Sequence, residues 1–135
     1  MNLEENKQIV RSYFQRMNEK QFTSAVELLS DDLVWWIIGK TKVSGKNDKR
    51  AVQLGFKLLH RTFSDFHFLL HDFTAEEDRV SLTAESKGKH SNGKFYNNDY
   101  HFLFIVRNGK IQSAKEYLDT EHAIWIEQPE KESVS

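Results

Sequence analysis

Two Asn-Gly dipeptides, Asn92-Gly93 and Asn108-Gly109, each stand between runs of alternating apolar and polar residues. Asn and Gly tolerate the left-handed backbone of tight hairpins, so this pattern is the strongest short-range hairpin signal a sequence can carry. Two in succession join 79–91, 94–106 and 110–120 into an antiparallel meander. A further strand is expected just before it, over 66–73. The run Leu33-Val34-Trp35-Trp36-Ile37-Ile38 is β-branched and aromatic and stops at Gly39, as a buried strand does.

Helical periodicity fills the rest of the N-terminal half. Ile9, Val10, Tyr13, Phe14 and Met17 share one face of a first helix. Phe22, Ala25, Val26, Leu28 and Leu29 mark a short second one, with Ser24 and Glu27 at capping-box spacing. A polar loop runs through Gly45. Val52, Phe56, Leu59 and Phe63 share the face of a third helix over about 48–63. The order helix, helix, strand, helix, four strands predicts an α+β fold, with three N-terminal helices packed on one face of a curved, mainly antiparallel sheet. Residues 1–127 are expected to form one domain, and 128–135 a polar, flexible tail.

Nineteen Lys and Arg balance twenty Asp and Glu. Near-zero net charge offers no electrostatic reason to expect nucleic acid or an anionic membrane as a partner. With no cysteine, disulfides, thiolate nucleophiles and cysteine metal sites are excluded. The N-terminus is polar and acidic, unlike a signal peptide, and no apolar run has the length of a membrane span. The expected setting is cytoplasmic.

Matching apolar faces predicts which side chains share the interior. On 94–106 the even side carries Tyr96, Asn98, Tyr100, Phe102, Phe104 and Val106. It meets Ala114, Glu116 and Leu118 of the last strand if Arg107-Asn108-Gly109 is a three-residue loop. A two-residue turn at Asn92-Gly93 sets Glu85 opposite Tyr100. Three rows follow: Thr83, Phe102 and Ala114; Glu85, Tyr100 and Glu116; Lys87, Asn98 and Leu118. Neighbours in a row lie roughly 5 Å apart at Cβ. A tyrosine between two glutamates suits proton transfer. Apolar neighbours raise a carboxyl pKa toward neutrality, a second carboxylate raises it further, and a phenol donates to a developing oxyanion. Glu116 is therefore the expected acid/base group, assisted by Glu85 and Tyr100. Glu116 as a satisfied buried acceptor is the structural alternative.

The element order, the stretch Asp31-Asp32-Leu33-Val34-Trp35-Trp36 and the closing Gly109-Lys110-Ile111 and Glu116-Tyr117-Leu118-Asp119-Thr120 resemble the SnoaL-like proteins. These belong to the superfamily of nuclear transport factor 2, ketosteroid isomerase and limonene-epoxide hydrolase. The resemblance, over roughly 5–125, implies a cone-shaped α+β barrel with a deep cavity between sheet and helices, and a homodimer through the outer sheet face. It sets Glu116 at the acid/base aspartate of the polyketide cyclases, whose partner histidine is Ala114 here. It sets Glu85 and Glu116 at the two carboxylates of the epoxide hydrolase. That enzyme's arginine position is Thr83, and its water-holding pair reads Trp35 and Ile37. Tyr13 matches the helix-one tyrosine of ketosteroid isomerase, whose base position is Ile37. Each set is incomplete in this sequence.

The expected wall of the cavity comprises Tyr13, Phe14, Met17, Trp35, Ile37, Phe56, Thr83, Lys87, Asn98, Phe102, Ala114 and Leu118. No His, Asp and Glu cluster has metal-ligand spacing, and nothing calls for a cofactor. Three functions are compatible with this wall. One is proton-transfer catalysis on a small, largely apolar organic molecule. The second is ligand binding without turnover. The third is an interaction module whose cavity is filled by its aromatics.

Overall fold

The computed structural model of the chain describes residues 2–129. The elements run α1 (Leu3–Asn18), α2 (Phe22–Val26), β1 (Leu29–Ile37), β2 (Gly45–Asn47), α3 (Lys49–Thr62), β3 (Phe63–Glu76), β4 (Arg79–His90), β5 (Phe95–Arg107), β6 (Lys110–Leu118) and α4 (Thr120–Glu127). Six strands form one open, curved sheet in the order β2-β1-β6-β5-β4-β3. Only β1 and β6 are parallel.

Side-chain caps fix where the longer helices begin. Asn2 accepts from the N–H groups of Glu4 and Glu5, and both glutamates sit in the first turn, where negative charge suits the helix dipole. Asp48 starts α3 by accepting from the Ala51 N–H at 2.8 Å. Val10, Tyr13, Phe14 and Met17 of α1 then bury against the sheet. The receiving face is the even side of β5, where Tyr96, Asn98, Tyr100, Phe102, Phe104 and Val106 are all buried. Phe14 sits at the centre, 5.0–5.9 Å ring to ring from Phe68, Phe102 and Phe104. This α+β arrangement is the one expected. No helix among the described residues is long and apolar enough to cross a membrane.

Several local expectations are corrected. The Ser24–Glu27 capping box does not form: α2 starts after Gln21 with no side-chain cap, and Ser24 lies inside it. The loop through Gly45 holds β2, which pairs with β1 through Trp35 and Asn47. β1 and β3 begin earlier than expected, at Leu29 and Phe63. The last strand ends at Leu118, because Asp119 turns the chain into α4 by accepting from the His122 N–H. The tail expected from 128 lies, from 130 on, outside the described residues.

The two hairpins exchange the turn types expected of them. At Asn92-Gly93 the His90 N–H bonds the Lys94 carbonyl, which closes a three-residue loop with Gly93 at φ +93°. At Asn108-Gly109 both residues have positive φ, and Arg107 pairs directly with Lys110 in a two-residue turn. The register there slips between Ile105 and Val106, which leaves Gln112 as an extra residue in β6. That bulge restores the meeting of even with even, one row further along than expected. The rows across β4, β5 and β6 are therefore Leu82, Phe102 and Glu116, then Ala84, Tyr100 and Leu118.

Candidate functional site

A cavity of about 160 Å³ opens between α3 and the inner face of the sheet. Trp35 and Ile37 of β1, Val52, Phe56 and Leu59 of α3, and Phe63 and Phe68 of β3 make most of its apolar wall. Tyr100, Glu116 and Asn47 are the polar residues that line it from the sheet, and Thr62 lines it from the end of α3. Lys42 and Glu127 also line it, paired at 3.3 Å and partly solvated.

Glu116 reaches this position because β6 places it between Ile37 of β1 and Phe102 of β5. It is half-buried, since it borders the cavity. The Trp35 indole N–H donates to its Oε1 at 2.9 Å. Removal from water pushes the carboxyl pKa up to about 7, although the indole bond opposes the rise. Such a group exchanges a proton readily near neutral pH.

The nearby phenols are kept as donors. Burial raises the pKa of Tyr100 well above its ordinary value, and the Tyr96 and Glu116 charges add to the rise. Tyr100 shares a 2.8 Å hydrogen bond with the fully buried Ser86 and a longer one with Tyr96. Asn98 donates to the Tyr96 hydroxyl at 2.7 Å and clamps the backbone of Asp119 through both ends of its amide. Tyr13 is fully buried with an unpartnered hydroxyl, its pKa raised by burial and then by Glu116.

Five of the residues expected in the wall or at the reacting centre border this cavity: Trp35, Ile37, Phe56, Tyr100 and Glu116. Tyr13, Phe14, Met17, Phe102 and Ala114 are buried in the core around it. Asn98 and Leu118 lie on the inner face, Asn98 fully engaged and Leu118 opposite Tyr100. Thr83, Glu85 and Lys87 are on the other side of the sheet, because the three-residue loop at Asn92-Gly93 shifts β4 by one residue. Leu82, Ala84 and Ser86 face inward in their place. Glu85 instead accepts from Asn97 at 3.2 Å and bonds His71 at 2.6 Å, and these bonds lower its pKa in that order. It cannot act with Glu116 across the sheet.

The expected wall lacked most of what α3 and β3 supply, Val52, Leu59, Phe63 and Phe68 above all, and also Asn47, Gly55, Glu127 and Lys42. Gly55 could have been found on the helical face that carries Val52, Phe56 and Leu59. Glu127 had no signal once the last strand was carried through Thr120. The correct face of β4 was available too: Val80, Leu82 and Ala84 are its apolar set. A wider hollow outside α4, lined by His122 and Trp125 among others, is open to solvent. Among the described residues no three His, Asp or Glu side chains converge as metal ligands do.

The chain matches the SnoaL-like domain family over residues 10–114, and it belongs to that family. No curated protein matches its sequence. Solved structures share the fold of nuclear transport factor 2-like proteins. One such protein from Burkholderia xenovorans LB400 is 22% identical, with 95% of this chain and 99% of that one covered and a TM-score of 0.79. BvnE pinacolase from Penicillium brevicompactum is 15% identical, over 93% and 92% of the two chains, with a TM-score of 0.80. TerC, co-crystallised with polyporic acid, is 13% identical over 90% and 97%, with a TM-score of 0.79. At these identities the likeness establishes the fold.

Proposed function

We propose that this chain is an acid/base catalyst for a small, largely apolar organic molecule, with Glu116 as the group that takes and returns the proton. The observation that carries the proposal is the Glu116 carboxyl itself. It borders an apolar cavity, is held by one indole N–H, and has a pKa pushed up to about 7. A base is most effective when its pKa lies near the working pH. In the reaction class that suits it, the Glu116 carboxylate removes a proton from carbon beside a carbonyl. The C–H electron pair becomes the new C–C double bond, and the carbonyl π pair moves to oxygen. Protonated Glu116 then returns the proton to the same carbon or to a conjugated one. The cycle needs no co-reactant. The Tyr100 hydroxyl, held protonated by burial, is the donor for the enolate oxygen. Fold neighbours named as a pinacolase and as a protein co-crystallised with polyporic acid support a small organic ligand. All of this lies within one proposed domain, 1–127.

Deuterium exchange into cyclohexanone in D2O, followed by NMR, tests the proposal. The wild-type protein should accelerate exchange, with a rate rising as pH passes through about 7; Glu116→Gln should not. Binding of cyclohexanone without exchange would replace catalysis by the second reading, a binding protein. That reading is favoured by one observation: with Glu85 on the outer face, Glu116 has no second carboxylate across the sheet. We also propose a homodimer through the outer sheet face, where Val34 and Tyr117 are exposed and Tyr117 packs edge-on against Trp36 at 5.5 Å. Sedimentation at twice the chain mass is the expected result, and a monomer would remove the proposal.

A further inference from the structure

Five of the six glycines have a reason within the protein. Gly39, Gly45, Gly93 and Gly109 adopt positive φ, and a Cβ on Gly88 would press on Phe66 and Phe63 at 3.2–3.3 Å. Gly55 has neither reason. It lies in the middle of α3, and nothing stands within 4 Å of where its Cβ would be. Glycine is the poorest helix former after proline, so this position weakens α3 and relieves no contact. The space left open is the wall of the Glu116 cavity.

The cavity's size and lining limit what it can hold. At about 160 Å³ it is close to the apolar cavities of about 150 Å³ that take up benzene. Bringing a charge against so apolar a wall is costly, and the Lys42 ammonium is already paired with Glu127, so an anionic ligand would meet the Glu116 carboxyl without a free cation to offset it. Neutral oxygen has polar partners on the sheet side, Tyr100 and Glu116 among them. Across from them Gly55 is flanked on its helix by Val52, Phe56 and Leu59, an apolar strip.

We propose that the cavity takes an uncharged single-ring molecule carrying one oxygen function, and that the missing side chain at Gly55 leaves the room that seats the ring. The proposal rests on the reading of this cavity as a ligand site and narrows its ligand class. One ring is the size of ligand that cavities of this volume take up, and carboxylates meet Glu116.

The test compares wild type, Gly55→Ala and Gly55→Leu with phenol, 2-naphthol and benzoate as probes. The readouts are the Trp35 indole N–H resonance, assigned with Trp35→Phe, and the melting temperature. Phenol should shift the Trp35 signal saturably, with 2-naphthol and benzoate binding at least about tenfold more weakly. Gly55→Ala should melt above wild type and bind phenol about tenfold more weakly, since one added methylene-sized group is worth that much in a filled pocket. Gly55→Leu should stay folded and lose phenol altogether. Unchanged phenol binding in both variants, or a lower melting point for Gly55→Ala, would overturn the role of Gly55. Tighter binding of 2-naphthol or benzoate than of phenol would overturn the ligand class while leaving the cavity a ligand site. Silence of the Trp35 signal to every probe would remove the ligand site itself, and this proposal with it.

Discussion

Glu116 and Glu85 stand on opposite faces of one sheet and carry opposite physics. Glu116 is on the helix-covered face, where loss of water raises its pKa to about 7. Glu85 is on the outer face, where bonds from Asn97 and His71 lower its pKa. The difference does not come from residue type. It comes from the parity of two hairpins, which sends one carboxylate inward and the other outward.

A carboxyl whose folded pKa is raised holds its proton more tightly in the folded state. Its stabilisation is complete below the unfolded value, near 4.5, and is lost as pH rises through about 7. For Glu116 the loss is on the order of 3 kcal/mol. Glu85 has the reverse sign: its contribution is present above its unfolded pKa and is lost as pH falls through the lowered folded value.

Exchanging each side chain for its neutral isostere sharpens the contrast most. Glu116→Gln should lower ketone exchange by about 10²–10⁴-fold. Denaturant titrations at several pH values should show that the same variant loses the decline in stability between pH 5 and 8. Trp35→Phe should come next. It removes the indole donor from the carboxylate and costs about 2 kcal/mol at pH 8, where Glu116 is charged, and less at pH 5. It should also move the exchange profile to higher pH, because the bond that opposes the pKa rise is gone. Ser86→Ala, which leaves Tyr100 one partner short, should cost about 1 kcal/mol in chemical denaturation. Glu85→Gln should have the smallest effect, within about 0.5 kcal/mol at pH 7 and with exchange unchanged. A large loss of exchange in Glu85→Gln would break the comparison.

Much of the architecture was legible because burial leaves a periodic trace. The α1 face and the even side of β5 are written as apolar alternation, and both are buried as expected. Glu116 could be placed inside because the bulge at Gln112 preserved the parity that apolar matching demands. Glu85 was misplaced because Asn-Gly fits two loops. Both residues take positive φ in the two-residue turn at 108–109, whereas only Gly93 does so in the longer loop at 91–93. The dipeptide does not choose between them; the apolar side of β4 does, through Val80, Leu82 and Ala84. The fourth helix was missed because its start depends on one side-chain bond, from the His122 N–H to Asp119. Cavity shape was not legible. It depends on how far α3 stands from the sheet, which no local pattern encodes.

The central claim is that Glu116 is a carboxyl poised near neutrality. A ¹³C NMR titration of the glutamate side-chain carboxyls, with Glu116→Gln to assign the signal, tests it directly. The expected result is one glutamate titrating near pH 7, absent from the variant, while Glu85 titrates below the ordinary range. Titration of Glu116 at its ordinary value near 4.5 would contradict the account, because the cavity would then be wet and its carboxylate too weak a base for the chemistry proposed.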